Sequence, residues 1–171
     1  NLWVRQGERV VIEAGSFPAA TFEELFQGVT ALPWENWLTA DAAFPVNGKC
    51  VKSTLHSVPD CQSIIKKAIV ERLRRKYPAV SWFAETGPVY PVDFKITNDI
   101  VTVVIDSSGE GLHKRGWRKL GSTAPLKETL ASVLLTLSNW RPNQPLADPF
   151  CGSGTIPIEA ALKAMNIAPG L

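Results

Sequence analysis

The chain has 171 residues, room for one domain of ordinary size or two small ones. Its 45% hydrophobic and 20% charged content is that of a globular protein, and a formal net charge of +2 gives no global pull on a polyanion. No apolar run approaches the roughly 18 residues of a membrane-spanning helix, and no signal peptide opens the chain.

In chain order, residues 10–14 read as a strand, broken by Gly15-Ser16-Phe17-Pro18. Thr21 with Glu24 makes a capping box, and Phe22, Leu25, Phe26 and Val29 give the apolar face of a helix ending near Leu32. A short element follows over 33–38. Up to Gly48 there are six acids against two bases, so this part is a poor surface for nucleic acid. From Lys49 to Lys76 the balance reverses to eight bases and two acids. Residues 51–57 alternate as a strand, and Pro59-Asp60 opens a helix to about Tyr77 with Ile64, Ile65, Ala68, Ile69 and Leu73 on one face. Lys66, Lys67 and Arg74 fall on the opposite side, either as a solvated face or as a phosphate-contacting one.

Residues 92–97 and 100–106 read as a hairpin turned at Asn98-Asp99. After the 107–111 loop, Leu112-His113-Lys114-Arg115-Gly116-Trp117-Arg118-Lys119 packs four bases, a His and a Trp into eight residues. It is either a basic linker or an RNA-facing strand end on which Trp117 stacks a base. Pro125 suits the first turn of a helix with Leu126, Leu130, Val133, Leu134 and Leu137 as its apolar stripe.

The most specific stretch is Leu146-Ala147-Asp148-Pro149-Phe150-Cys151-Gly152-Ser153-Gly154-Thr155-Ile156-Pro157-Ile158-Glu159. It reads as a short strand ending at Asp148, a turn at Gly152 and Gly154, and a helix with Thr155 as N-cap and Glu159 near a capping-box position. A carboxylate at a strand end beside an open helix N-terminus suits a ligand with ribose hydroxyls and a positive charge. It lacks the third glycine of the dinucleotide pattern and the Gly-Lys-Ser/Thr of a P-loop. A plain strand-to-helix turn is the bland alternative. Three cysteines, Cys50, Cys61 and Cys151, show neither metal spacing nor an even framework, as expected of reduced thiols in the cytoplasm.

The glycine motif, Thr21-Phe22-Glu23-Glu24-Leu25-Phe26, Val51-Lys52-Ser53-Thr54-Leu55-His56, Gly111-Leu112-His113-Lys114-Arg115-Gly116 and Pro125-Leu126-Lys127-Glu128 together resemble the THUMP-domain methyltransferases that modify guanine N2 in large-subunit ribosomal RNA. The resemblance implies an α+β THUMP-like RNA-binding domain followed by the first αβα part of an α/β Rossmann-like class I methyltransferase domain. It places the last strand of a ferredoxin-like piece at 1–17, the THUMP-like domain at 18–120 and the start of the methyltransferase domain at 121–171. It implies S-adenosyl-L-methionine as cofactor, held by Asp148, Cys151, Gly152, Gly154, Thr155 and Pro125. It also implies ribosomal RNA as partner, met by Lys52, Lys66, Lys67, Arg74, His113, Lys114, Arg115, Trp117 and Arg118. The family's catalytic Asn-Pro-Pro-Tyr-type motif has no counterpart here, nor has the acid of its second strand. The chain, which begins without Met, is therefore expected to be a fragment without activity of its own. A non-catalytic RNA-binding module and an adenine-N6 DNA methyltransferase are the alternatives.

Overall fold

A computed structural model of the chain describes residues 1–78, 83–117 and 125–170. They divide into two units, Val11–Ser107 and Asn1–Val10 with Ser108–Leu171. The expected boundary near Gly121 lies outside the described residues.

The described residues of the first unit form a four-stranded sheet with two α-helices. Its strands are β1 (Val11–Pro18), β2 (Val46–Val51), β3 (Val92–Thr97) and β4 (Ile100–Asp106), in the order β1-β4-β3-β2. β2 runs parallel to β3, and the other pairs are antiparallel. The hairpin falls where the sequence puts it. Asn98 and Asp99 take φ of 50° and 60°, the left-handed pair that a two-residue turn between twisted strands needs. Val92, Phe94 and Ile96 of β3 and Val101, Val103 and Ile105 of β4 point to one side and are buried.

Two helices, α1 (Phe22–Ala31) and α2 (Val58–Lys76), belong to the same core. The capping box of α1 is formed: the Glu24 amide donates to Thr21 Oγ1 at 3.2 Å, and the Thr21 amide to Glu24 Oε2 at 3.1 Å. Trp34, in a short 3₁₀ turn, is fully buried, and its indole N–H donates to the Val29 carbonyl at 2.8 Å. One side chain thus fills the core and adds a second donor to the Val29 carbonyl, which also accepts the Leu32 amide at 3.2 Å. On α2, Ile65, Ala68, Ile69 and Leu73 are buried as the spacing requires.

Two expected strands are displaced. β1 does not stop at Gly15 but continues to Pro18, with a bulge between Glu13 and Gly15. A Cβ at Gly15 would lie 2.5 Å from Leu32 Cδ2, so this glycine permits close packing and does not end the strand. The residues expected as the end of a preceding piece, 1–17, include most of β1, which pairs with β4. The strand expected over 51–57 is instead Val46–Val51. Lys52 turns left-handed at φ 48°, and the Asp99 carboxylate takes the Thr54 amide at 2.6 Å and the Thr54 hydroxyl at 3.1 Å. Small polar residues that alternate like a strand are here drawn into a loop by side-chain hydrogen bonds.

The described residues of the second unit form two helices, α3 (Glu128–Leu137) and α4 (Thr155–Ala164). α3 begins at Glu128 after an extended Lys127, so Pro125 lies outside its first turn. The expected leucine stripe is turned outward: Leu130, Leu134 and Leu137 are exposed, whereas Glu128, Thr129, Ala131, Ser132 and Leu135 are buried. The buried set also recurs at helical spacing, and it carries polar groups with specific partners. Thr129 Oγ1, for one, donates to Glu8 Oε1 at 2.5 Å. Residues 146–148 form no strand, because a strand exists only with a neighbour and no described strand pairs with them.

Candidate functional site

The glycine motif builds an exposed loop on the N-terminus of α4. Asp148 Oδ1 accepts from the Phe150 amide at 3.2 Å, which turns the chain just after the acid. Gly152 and Gly154 both take positive φ, 51° and 75°. Gly154 donates its amide to the Cys151 carbonyl at 2.8 Å and accepts from Ile158 at 3.0 Å. It is therefore Gly154, not Thr155, that stands as N-cap of α4, and no side chain caps the helix there. Thr155 is the first helical residue and is buried, with Ser153 Oγ 3.2 Å from its hydroxyl. The loop presents backbone amides at the positive end of a helix, next to a partly exposed carboxylate. Cys151 and Gly152 face solvent.

Cys61, in contrast, is buried, and burial together with the nearby Cys50 pushes its thiol up to about 12. A maleimide is expected to label Cys151 first and Cys61 last, followed by peptide mass spectrometry. Equal rates at Cys61 and Cys151 would contradict the packing described.

The 112–119 segment divides. Arg115 is no surface cation: it is 4% exposed. Its Nη1 donates to the Leu112 carbonyl at 2.7 Å and the Val4 carbonyl at 3.3 Å, its Nη2 to the Arg5 carbonyl at 2.7 Å, and its Nε to Glu159 Oε1 at 3.3 Å. Its donors are thus engaged inside the unit. Glu159 is likewise no capping-box partner but a buried acid, 1% exposed, whose pKa burial raises against the pull of Arg115. His113 Nδ1 lies 2.9 Å from Glu8 Oε2, and Lys127 Nζ 3.3 Å from the same oxygen. The Thr129 hydrogen bond above all holds the Glu8 carboxyl below its ordinary range. Lys114 is exposed, 3.5 Å from Glu110. Trp117 is half-buried, and Arg118 lies outside the described residues. His113, Lys114, Pro125, Lys127 and Glu128 line a cavity of about 520 Å3. Glu8 and Thr129, which order this cluster, were missed by sequence reasoning, for no local pattern links them.

In the Val11–Ser107 unit the basic helix is also partly engaged. Lys66 pairs with Glu85 at 2.7 Å and lies 5.4 Å over the Phe44 ring, while Lys67 lies 5.8 Å over Phe26. Arg74 is 3.9 Å from Glu71, a loose i,i+3 pair that leaves it exposed, and Lys52 is exposed on its left-handed turn. Arg72 makes a two-pronged pair with Glu35, Nε to Oε2 at 2.9 Å and Nη2 to Oε1 at 2.5 Å. The guanidinium holds the Glu35 carboxyl down at about 2, from an ordinary 4.5. A lowered folded-state pKa gives stability that is present above 4.5 and lost as pH falls toward 2. Melting curves across that window are expected to fall less steeply in Glu35→Gln than in the parent chain, and identical slopes would refute the pair's contribution.

Residues 19–106 match the THUMP domain. The chain belongs to the THUMP-domain family. Beyond the THUMP domain, residues 115–171 match a methyltransferase domain described as UPF0020, RMKL-like. Over 171 residues the chain is 53% identical to the "Putative RNA methyltransferase YpsC" of Bacillus subtilis (strain 168), covering 99% of this chain and 44% of that protein. It is 38% identical to the "Ribosomal RNA large subunit methyltransferase K/L" of Magnetococcus marinus, over 99% of this chain and 24% of that protein. Among solved structures, a "predicted N6-adenine-specific DNA methylase" from Listeria monocytogenes matches with a TM-score of 0.95 at 56% identity, over 99% of this chain and 44% of that one. SMU.472, described as a "putative methyltransferase complexed with SAH", matches with a TM-score of 0.92 at 49% identity, over 99% and 45%. The THUMP chain thus spans less than half the length of these relatives. Its fold class is a THUMP domain followed by part of a methyltransferase domain.

Proposed function

We propose that this chain is part of an S-adenosylmethionine-dependent RNA methyltransferase of the THUMP class. The observation that carries the reading is the glycine loop: two left-handed glycines turn the chain onto the N-terminus of α4, with the Asp148 carboxylate on the same loop. The cofactor suits these residues, since Gly154 puts no side chain across the helix N-terminus and the Asp148 carboxylate remains partly exposed. Asp148, Cys151, Gly152, Gly154 and Thr155 would hold it, with Pro125 beside them. The bound cofactor would supply a methyl group on a sulfonium centre. The names of the K/L relative and of YpsC support RNA as the substrate class, and the SAH complex of SMU.472 supports the cofactor.

The finer reading is methylation of guanine N2 in large-subunit ribosomal RNA, in the cytoplasm, by the complete protein. The chain alone is expected to be inactive, because it carries no Asn-Pro-Pro-type motif to hold an exocyclic amine. The domain limits of 1–17, 18–120 and 121–171 belong to the same proposal. Lys52, Lys67, Arg74, Lys114 and His113, with Trp117 and Arg118, are the proposed RNA contacts. Lys66 and Arg115 have internal partners and weigh less. An adenine-N6 activity on DNA is the second reading, favoured by the name of the Listeria structure.

The deciding experiment is a titration of structured ribosomal RNA and of duplex DNA into the chain at several salt concentrations, with and without S-adenosylhomocysteine. Salt-dependent preference for RNA, with the slope reduced by about one on Lys52→Ala or Arg74→Ala, is expected. Equal affinity for duplex DNA would overturn the RNA reading.

A further inference from the structure

The geometry points to Arg115 as a positioning residue: from its buried site it fixes the rotation and depth of α4, and thereby the direction in which the glycine loop presents its amides. No part of the proposed ligand contacts includes this role.

Within the second unit, Thr155 and Glu159 lie one turn apart on the same buried face of α4. Thr155 is the residue after the Gly154 cap, so whatever holds Glu159 sets the first turn of the helix. Arg115 holds it, donating from Nε to Glu159 Oε1 at 3.3 Å. The other end of the hold is backbone and therefore stiff: the carbonyls of Val4, Arg5 and Leu112 accept from Nη1 and Nη2. Planar guanidinium geometry makes these bonds directional, which a lysine ammonium would not reproduce.

A second arginine completes the hold. Arg5, whose carbonyl Arg115 grips, sends its own Nη2 to the Ile167 carbonyl at 2.5 Å and toward the Leu162 carbonyl at 3.5 Å. α4 is therefore pinned in its middle through Glu159 and at its C-terminal end through Arg5. Two separated anchors stop a ten-residue helix from turning about its axis, where one would not. The remaining Glu159 oxygen, Oε2, is buried with no hydrogen-bond partner among the described residues, so the helix keeps this acid inside without fully satisfying it. Core packing alone does not ask for a charged pair. Replacing such a pair by apolar side chains commonly leaves stability unchanged or raises it. What the pair adds is a fixed orientation.

The structural step stands on the geometry alone. Its consequence for ligand affinity rests on the reading of the loop as a cofactor site. Two measurements separate them. In hydrogen exchange followed by mass spectrometry on this chain, the peptide spanning 151–159 is expected to exchange at least about tenfold faster in Arg115→Met/Glu159→Met. The β3–β4 hairpin and the melting temperature should stay near those of the parent chain. Exchange over 151–159 as slow as in the parent would show that the pair serves stability only and would overturn the proposal. If the double variant does not fold, Glu159→Gln, which keeps the shape and removes the charge, decides it: about threefold faster exchange supports the hold, and no change overturns it. In the complete protein, equilibrium dialysis with S-adenosylhomocysteine is expected to show at least about tenfold weaker binding in the double variant. If the unaltered protein binds none, the cofactor reading fails while the exchange result still judges the anchor.

Discussion

Trp34→Ala is expected to cost about 3–5 kcal/mol, the largest single loss available in the Val11–Ser107 unit. Trp34 is fully buried among Leu25, Val29, Leu38 and Phe44 in one cluster, and its ring stands edge-on to Trp37 at 6.2 Å. Truncation removes the ring, leaves a cavity and takes one of two donors from the Val29 carbonyl, which keeps the Leu32 amide. Trp34→Phe separates the two effects. It keeps most of the volume but not the donor, so it should cost about 0.5–1.5 kcal/mol, the net contribution of one hydrogen bond to an acceptor that keeps another partner. Thermal or urea unfolding measures both. A Phe variant as damaged as the Ala variant would mean that the hydrogen bond, and not the packing, carries the effect.

Asp148→Ala carries the largest expected functional loss. In the complete protein it should weaken S-adenosylhomocysteine binding by about 10- to 100-fold, since charge-assisted hydrogen bonds contribute about 1.5–3 kcal/mol each. In the structure the same carboxylate also takes the Phe150 amide, so Asp148→Asn serves as control. Asn can still accept from that amide, and it isolates the charge from the turn. Calorimetric affinity equal to the unaltered protein in Asp148→Ala would remove this acid from the cofactor site. Phe150, 93% exposed on the same loop, gives an independent readout: its replacement should leave the turn intact.

The sequence was legible where the determining contacts are local. The Thr21–Glu24 capping box, the Asn98-Asp99 turn and the apolar face of α2 each depend on residues within a turn or two. It misled where a distant group decides. The 51–57 segment alternates like a strand, yet a carboxylate from the later hairpin turn, Asp99, converts it to a loop. The leucines of α3 look like a core stripe, but Glu8, from the start of the chain, draws the Thr129 side inward. Arg115 sits in a basic run that reads as surface, and only the folded unit shows it paired with Glu159. At the candidate site, the glycines and Asp148 were readable because their chemistry lies in backbone freedom and charge. The cap itself was assigned one residue late, to Thr155, because serine and threonine caps are the common case and a left-handed glycine cap is not.

The strand order β1-β4-β3-β2 has a kinetic meaning. The first strand of the unit finds its partner in the last, Val11 against Asp106, with both helices and two strands between them in sequence. The hairpin of β3 and β4 closes with a two-residue turn and can form within microseconds. β1 must wait for that template, and its docking closes the longest loop in the unit. Folding is therefore expected on the order of milliseconds to seconds, with the hairpin formed in the transition state and β1 joining late. Substitutions in the β1–β4 seam should then speed unfolding and leave the folding rate nearly untouched.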